Sequence, residues 1–333
     1  MPSALPRFPR LTRRRALRVL VAGLVALGLL MWWLWPLGSP EPTGRLTFST
    51  GVRTGVYHRY GELLEDALGR DMPEVDVRLL PSEGSQENLA RVASGQADFT
   101  VATADAVAKF RRDERAGADQ LRGVARLYDD YVQLVVPAGS RVQSARDLKG
   151  LKVAVGQPGS GVRLISDRLL KAAKLDPRED VTPVSIGIDT MPAELMAGRI
   201  DAFFWSGGLP TNAVRELSER FDIRLVPLGD LVPELQSDGN AHYYRAAVMP
   251  QDAYARARNT SAVTTVAVPN LLVTTERTSP ELTERFTRAV IHSRDDIGQE
   301  VHAAQRVDLR TAIYTDPLDL HEGARRYYRS VKP

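Results

Sequence analysis

Hydrophobic and polar positions along residues 45–103 change period several times, and each change predicts a new element. RLTFST, from Arg45, alternates with the period of two that predicts a strand. GVYHRYGELLEDALGR then puts Val56, Tyr60, Leu63, Leu64, Ala67 and Leu68 on one helical stripe. VDVRLLP predicts a second strand, EGSQENLARVASG a helix that Gly95 can close in the left-handed conformation, and ADFTVAT a buried strand.

The same order returns further on. LKVAVGQPGSG predicts a strand and a glycine loop, followed by a helix with Val162, Ile165, Leu169 and Ala172 on its apolar stripe. VTPVSI predicts a strand, PAELMAGR a helix closed by Gly198, and IDAFFWSGG a buried strand. Gly51 to Gly95 spans 44 residues and Gly156 to Gly198 spans 42, so the two copies predict two lobes of similar α/β build. YVQLVVPAGS (131–140) and TTVAVPNLLVTT (264–275) read as extended segments crossing between the lobes. The amphipathic stretch 281–305 reads as one long helix packed back on the first lobe. Lobe I is expected over 45–135 and 265–333, lobe II over 136–264, with a hinge and a cleft between them.

Ahead of this body, VLVAGLVALGLLMWWLWPLG follows Arg18 with no charge until Glu41. About 20 apolar residues cross a hydrocarbon core, and Trp32, Trp33 and Trp35 match an interfacial aromatic belt. Arg7, Arg10, Arg13, Arg14, Arg15 and Arg18 precede it. Residues 1–18 are therefore expected in the cytoplasm, 19–37 as a transmembrane anchor or an export signal, and 38–44 as a linker. The soluble body is then extracytoplasmic, on a single-pass membrane protein. A cleaved signal peptide is the alternative, although PLGSPEPTG offers no clear A-x-A site.

Charge narrows the partners. The chain carries +3 overall, but the first 40 residues hold six arginines and no acid, leaving 38 basic against 41 acidic side chains, a net of −3. A mildly acidic body argues against nucleic acid, which needs a basic face. No GxSxG, GxxxxGK[ST], HExxH or CxxC is present, and the five histidines, His58, His242, His292, His302 and His321, lack metal-ligand spacing. Asp129–Asp130 sits in a polar context and reads as a solvated pair. No catalytic constellation, metal or cofactor is implied.

Polar loops at strand ends remain, which is where open α/β sheets bind ligands. Thr50–Tyr57, Ser82–Asn88, Gly156–Arg163 and Trp205–Gly208 can face one cleft. Thr50, Gly51, Gly55, Val56, Ser160 and Gly161 would bring backbone N–H groups and helix N-termini close to an anion such as a carboxylate. Ser85 and Asn88 are candidate hydrogen-bonding contacts, with Ser85 alternatively the N-cap of its helix. Arg163 suits carboxylate capture or a pair with Asp167, and Arg53 either reaches the ligand or points to solvent. Tyr57, Tyr128 and Trp205, with Ser206 and Gly207 after it, are candidate walls, the aromatics being equally suited to the core.

Taken together, STGVRTGVYHRYG, LLPSEGSQENLARVASGQADFTVATADA, LYDDYVQLVVPAGSRVQSARDLKGLKVAVGQPGSGVRL, AELMAGRIDAFFWSGGLP, TVAVPNLLVT and LHEGARRYY resemble the TAXI family of solute-binding proteins of TRAP transporters. The resemblance covers nearly all of 45–330. It implies a two-lobed type II periplasmic-binding-protein fold and a receptor, not an enzyme. Such a receptor hands a small organic acid, glutamate- or 2-oxoacid-like, to TRAP membrane subunits. Val52 and Arg53 depart from the family's glycine-rich first loop, Val162 replaces a hydroxyl, and Thr103 replaces a glutamine, so contacts at these positions are expected to differ. The alternative on the same fold is a membrane-anchored sensor that passes occupancy to a signalling partner.

Overall fold

A computed structural model describes residues 13–34, 42–237 and 243–331, excluding the side chains of residues 13–16, Val19, Trp32 and Leu34. The expectations placed on Arg7, Arg10, Trp35, residues 38–41 and His242 lie outside the described residues. Helix α1 (Arg13–Leu34) belongs to a unit of its own, separate from the body that starts at Pro42. Its apolar side chains Leu20, Leu24 and Leu27 are exposed. Among the described residues no helix is long and apolar enough to cross a membrane.

The body begins with β1 (Gly44–Ser49), α2 (Val56–Asp71), β2 (Val75–Leu80), α3 (Ser85–Ser94), β3 (Phe99–Thr103) and α4 (Ala104–Arg112). The long β4 (Leu121–Pro137) leads into β5 (Lys152–Ala154), α5 (Gly161–Ala172), β6 (Thr182–Val184), α6 (Met191–Met196) and β7 (Ala202–Gly207). Then follow α7 (Asn212–Arg220), β8 (Ile223–Val226), α8 (Val232–Ser237), β9 (Arg245–Met249) and β10 (Val263–Thr275). Helices α9 (Pro280–His292), α10 (Arg294–Glu300) and α11 (Glu322–Val331) close the chain.

Period-two and period-3.6 patterns give these elements for the expected reasons. All five residues of β3 and all six of β7 are buried, as continuous apolar runs require of central strands. Gly95 (φ 80°) and Gly198 (φ 65°) end α3 and α6 in the left-handed region, which a side chain would disfavour.

The sheet runs β2-β1-β3-β10-β4-β7-β5-β6, with β8 added to β4 and β9 to β10. Strands β2-β1-β3 are parallel, as are β6-β5-β7, and antiparallel β10 and β4 stand between the two sets. Each half thus repeats a β-α-β-α-β unit outward from the central pair, matching the sequence repeat. One apolar core gathers Val132, Val153, Ile165, Phe203 and Val266, and another gathers Leu46, Phe99, Val124, Leu272 and Phe286. Phe99 stacks on Phe286 at 4.1 Å between ring centroids, fixing α9 on the first half. Both β4 and β10 contribute to both cores, so the chain passes between the halves on these two strands. Their ladder shifts register between Pro269 and Leu271, opposite Asp129.

The stretch 281–305 departs from the single helix expected of it. Ser293 ends α9 and begins α10, and a 3-10 turn follows at His302–Arg306. The chain doubles back, because Gln305 lies against Gly298 and its Nε2 donates to the Gly298 carbonyl at 3.1 Å. A straight helix would hold those residues about 10 Å apart at 1.5 Å per residue. His292 and His302 consequently stand on different elements.

Candidate functional site

A cavity lies at the carboxyl ends of β1, β3, β5 and β7, where the two halves meet. Its walls are Gly51, Val52, Gly55, Val56 and Tyr57 from the β1–α2 loop, and Glu83, Gly84 and Ser85 before and at the start of α3. Thr103, Asp130, Gly156, Gln157, Ser160, Gly161 and Val162 continue it, and Gly187, Ile188, Met191, Trp205, Ser206 and Gly207 complete it. The space at its heart is about 60 Å³; at about 10–15 Å³ per water on that measure, it has room for roughly four to six water-sized groups.

Of the expected residues, Gly51, Gly55, Val56, Tyr57, Ser85, Thr103, Ser160, Gly161, Val162, Trp205, Ser206 and Gly207 share this wall. Five do not. Thr50 lies buried behind it, with its hydroxyl 3.1 Å from His58 Nδ1. Asn88 is a scaffold residue: its Oδ1 accepts from Ser49 and Ser82, both at 2.7 Å, and its Nδ2 donates to the Val101 carbonyl at 3.0 Å. Tyr128 packs in the core of Leu46, Phe99 and Phe286, its ring 6.0 Å from that of Tyr60. Arg163 pairs with Asp167 one turn on, at 3.1 Å, and donates to Ser185. Arg53 is exposed and borders a separate depression with Glu83, Glu87 and Asp189.

Ser85 is the first residue of α3, and its N-cap is Gly84 at φ 127°, a conformation essentially confined to glycine. Two first-turn N–H groups of α3 are not open to a ligand. Those of Gln86 and Glu87 both donate to the Gly159 carbonyl at 3.1 Å, and Gln86 Nε2 donates to the Ser160 carbonyl at 2.8 Å. One half therefore caps a helix of the other. A second junction is formed where Tyr244 donates to Asp105 Oδ2 at 2.7 Å while the Arg168 guanidinium lies 3.5 Å from the same oxygen. In the second half Ser160 caps α5, accepting from Arg163 N at 3.0 Å, and Gly156 holds φ 85° directly beneath that turn. A Cβ at Gly156 would stand 2.8 Å from that of Val162.

A hydrogen-bonded chain crosses the floor. The Ser85 hydroxyl accepts from Thr103 N at 3.2 Å and lies 3.2 Å from Tyr57 OH. Tyr57 donates to Asn270 Oδ1, Asn270 Nδ2 donates to Asp130 Oδ1 at 2.6 Å, and Ser206 donates to Asp130 Oδ2 at 3.2 Å. Burial pushes the Asp130 carboxyl up to about 7, against the bonds from Asn270 and Ser206, which lower it. Burial, with the charge of Asp130 nearby, raises the Tyr57 phenol well above its usual value, so it remains a donor.

Asp130 and Asn270 are functional candidates that sequence reasoning missed, and the solvated Asp129–Asp130 pair is corrected. Asp129 is the outward member, bonded to Arg126 and Arg245, whereas Asp130 is buried. The signal was phase: Tyr128, Asp130 and Val132 recur at period two, and Asp130 therefore shares the face of its buried apolar neighbours. Asn270 carried a weaker signal, as the polar residue inside VAVPNLLV. Among the described residues no group of three or more His, Cys, Asp or Glu could hold a metal ion.

Two α/β halves joined by two crossing strands, with a cavity at the strand ends between them, define the architecture of periplasmic solute-binding proteins. The chain belongs to the NMT1-like family, whose sequence pattern matches residues 48–331. The fold is similar to that of the alkanesulfonate-binding protein SsuA from Xanthomonas axonopodis pv. citri bound to MOPS, at 16% identity and a TM-score of 0.50, over 89% of this chain and 86% of that one. The periplasmic aliphatic sulphonate binding protein SsuA from Escherichia coli matches at 16% identity over 88% of this chain and 84% of that one, with a TM-score of 0.48. A putative L-cystine ABC transporter protein from Listeria monocytogenes matches at 12% identity over 80% and 99%, also with a TM-score of 0.48.

Proposed function

We propose that this protein is an extracytoplasmic solute-binding receptor that captures a small carboxylate-bearing solute between its two halves and delivers it to the membrane subunits of a transporter. The observation that carries this reading is the cavity enclosed by the β1–α2, β2–α3 and β5–α5 loops of both halves. Two of those loops lead into α2 and α5, whose N-terminal dipoles favour a carboxylate. Family membership and the fold support a receptor. The motifs STGVRTGVYHRYG and GQPGSGVRL support the TAXI class and TRAP-type membrane subunits. For the lobe limits we adopt 45–135 with 265–333, and 136–264, as the sequence repeat suggests.

The sequence also supports an N-terminal membrane anchor. Residues 19–40 carry no charge behind six arginines. Native mass spectrometry of the purified protein tests the receptor reading: a co-purifying small organic acid or amino acid is expected. If none is found, and no member of a broad panel of such solutes raises the melting temperature, the reading fails. Membrane fractionation of the expressed full chain with an alkaline wash tests the anchor, which is expected to stay with the lipid.

A further inference from the structure

Resting on the receptor reading, we infer that the solute is an α-amino acid with an uncharged side chain, whose ammonium group is read by Asp130. The wall described above contains no Lys, Arg or His, while it contains two acids, Asp130 and Glu83. An anionic solute without a positive group would find no basic side chain there and would place its charge against a buried carboxyl. The helix starts of α2 and α5 offer partial positive charge for a carboxylate, while the Gln86 and Glu87 N–H groups of α3 are occupied by the Gly159 carbonyl.

Asp130 is built as an acceptor. Its two oxygens accept from Asn270 Nδ2 at 2.6 Å and from Ser206 Oγ at 3.2 Å. Each carboxylate oxygen has a second lone pair, so both remain able to accept from a donor in the cavity. The neighbouring hydroxyls are committed elsewhere, since Tyr57 donates to Asn270 and Ser206 to Asp130 itself. An ammonium group supplies three donors and the opposite charge, which stabilises the ionised form of a carboxyl that burial otherwise disfavours. Six apolar side chains, Val52, Val56, Val162, Ile188, Met191 and Trp205, also line the space a side chain would fill. A second carboxylate on that side chain would find no basic side chain in this wall and would share it with Glu83.

Binding of matched pairs to the full-length protein tests this by calorimetry: L-alanine against pyruvate, L-leucine against 4-methyl-2-oxopentanoate, and L-glutamate against 2-oxoglutarate. Within the tightest-binding skeleton the amino acid is expected to bind at least tenfold more tightly than the oxo acid, with 2-oxoglutarate the weakest. Asp130→Asn is expected to cut that ratio to about threefold or less while leaving oxo-acid binding intact or improved. An oxo acid that binds as tightly as its amino acid, or glutamate favoured over leucine and alanine, overturns the inference and leaves the receptor reading standing. Failure of every compound in the panel overturns the inference too and counts against the receptor. The wild-type pairs decide the matter even if the variant fails to fold.

Discussion

Asn270 on β10 donates to Asp130 on β4 at 2.6 Å, beside the register shift where the two crossing strands meet. The bulged ladder frees Asn270 from strict pairing with β4 and turns its amide toward the carboxyl. Tyr57 is held by the same amide. One side chain therefore ties the first half's glycine loop to the crossing strands.

Asn270→Ala is expected to destabilise the protein by about 1–3 kcal/mol, because it leaves Asp130 and Tyr57 each short of a buried partner. It should also raise the Asp130 carboxyl further, since the lost bond favours the charged form. Urea unfolding at pH 6 and pH 8 measures the first effect directly. The second is visible as a larger stability difference between the two pH values than in the wild type.

The raised Asp130 carboxyl sets the sign of a pH dependence. An unfolded aspartate titrates at about 3.9, and the folded one at about 7, so the folded state holds the proton through that window. This group's contribution is therefore most favourable below about pH 4, declines as pH rises to about 7, and is level above. The total loss is up to about 4 kcal/mol. Asp130→Asn is expected to remove this slope and to be more stable than the wild type at pH 8. Equal slopes in the two proteins would contradict the assignment.

Gly84 is expected to resist substitution. At φ 127°, where an L side chain is strained, Gly84→Ala should cost about 1–3 kcal/mol, relieved by a backbone shift that loosens the start of α3 from Gly159. Thermal unfolding reads the cost. Small-angle scattering reads the separation of the halves, expected as a larger radius of gyration. Gln86→Ala should shift the same radius in the same direction with a smaller stability loss, of about 0.5–1.5 kcal/mol.

Arg53→Ala and Arg163→Ala are expected to change affinity for the bound solute by less than about threefold. Arg53 is exposed beside a separate depression, and Arg163 is spent on Asp167; an exposed charge or helix pair of this kind contributes at most about 1 kcal/mol. Calorimetry on each variant checks this. A tenfold loss at Arg53 would show that it reaches the solute after all.

Much of the architecture was readable because it rests on local period and glycine placement. The repeat of strand, loop and helix, the left-handed ends at Gly95 and Gly198, and the extended runs of β4 and β10 all leave marks within a dozen residues. The turn back after Glu300 left none, since it rests on Gln305 folding onto Gly298, a contact between turns. Site residues divide along the same line. Loop glycines announced the cavity, but Asn88 and Tyr128 have the residue types of ligand contacts while serving the scaffold, and only tertiary packing separates those roles. Asp130 was hidden by its neighbour: as a dipeptide Asp129–Asp130 is polar, and only strand phase assigns one acid to water and the other to the interior.

The two crossing strands also decide which parts of the cavity can travel. If the halves rotate about β4 and β10, atoms on those strands form the fulcrum and keep their places, whereas displacement grows with distance from it. Asp130 and Asn270 sit on the fulcrum itself. Gly84 and Gly161, whose backbones meet across the cleft, sit on the swinging rims. A solute arriving in the open protein would thus find the carboxyl already in position and wait only for the rims to shut, so that recognition precedes enclosure.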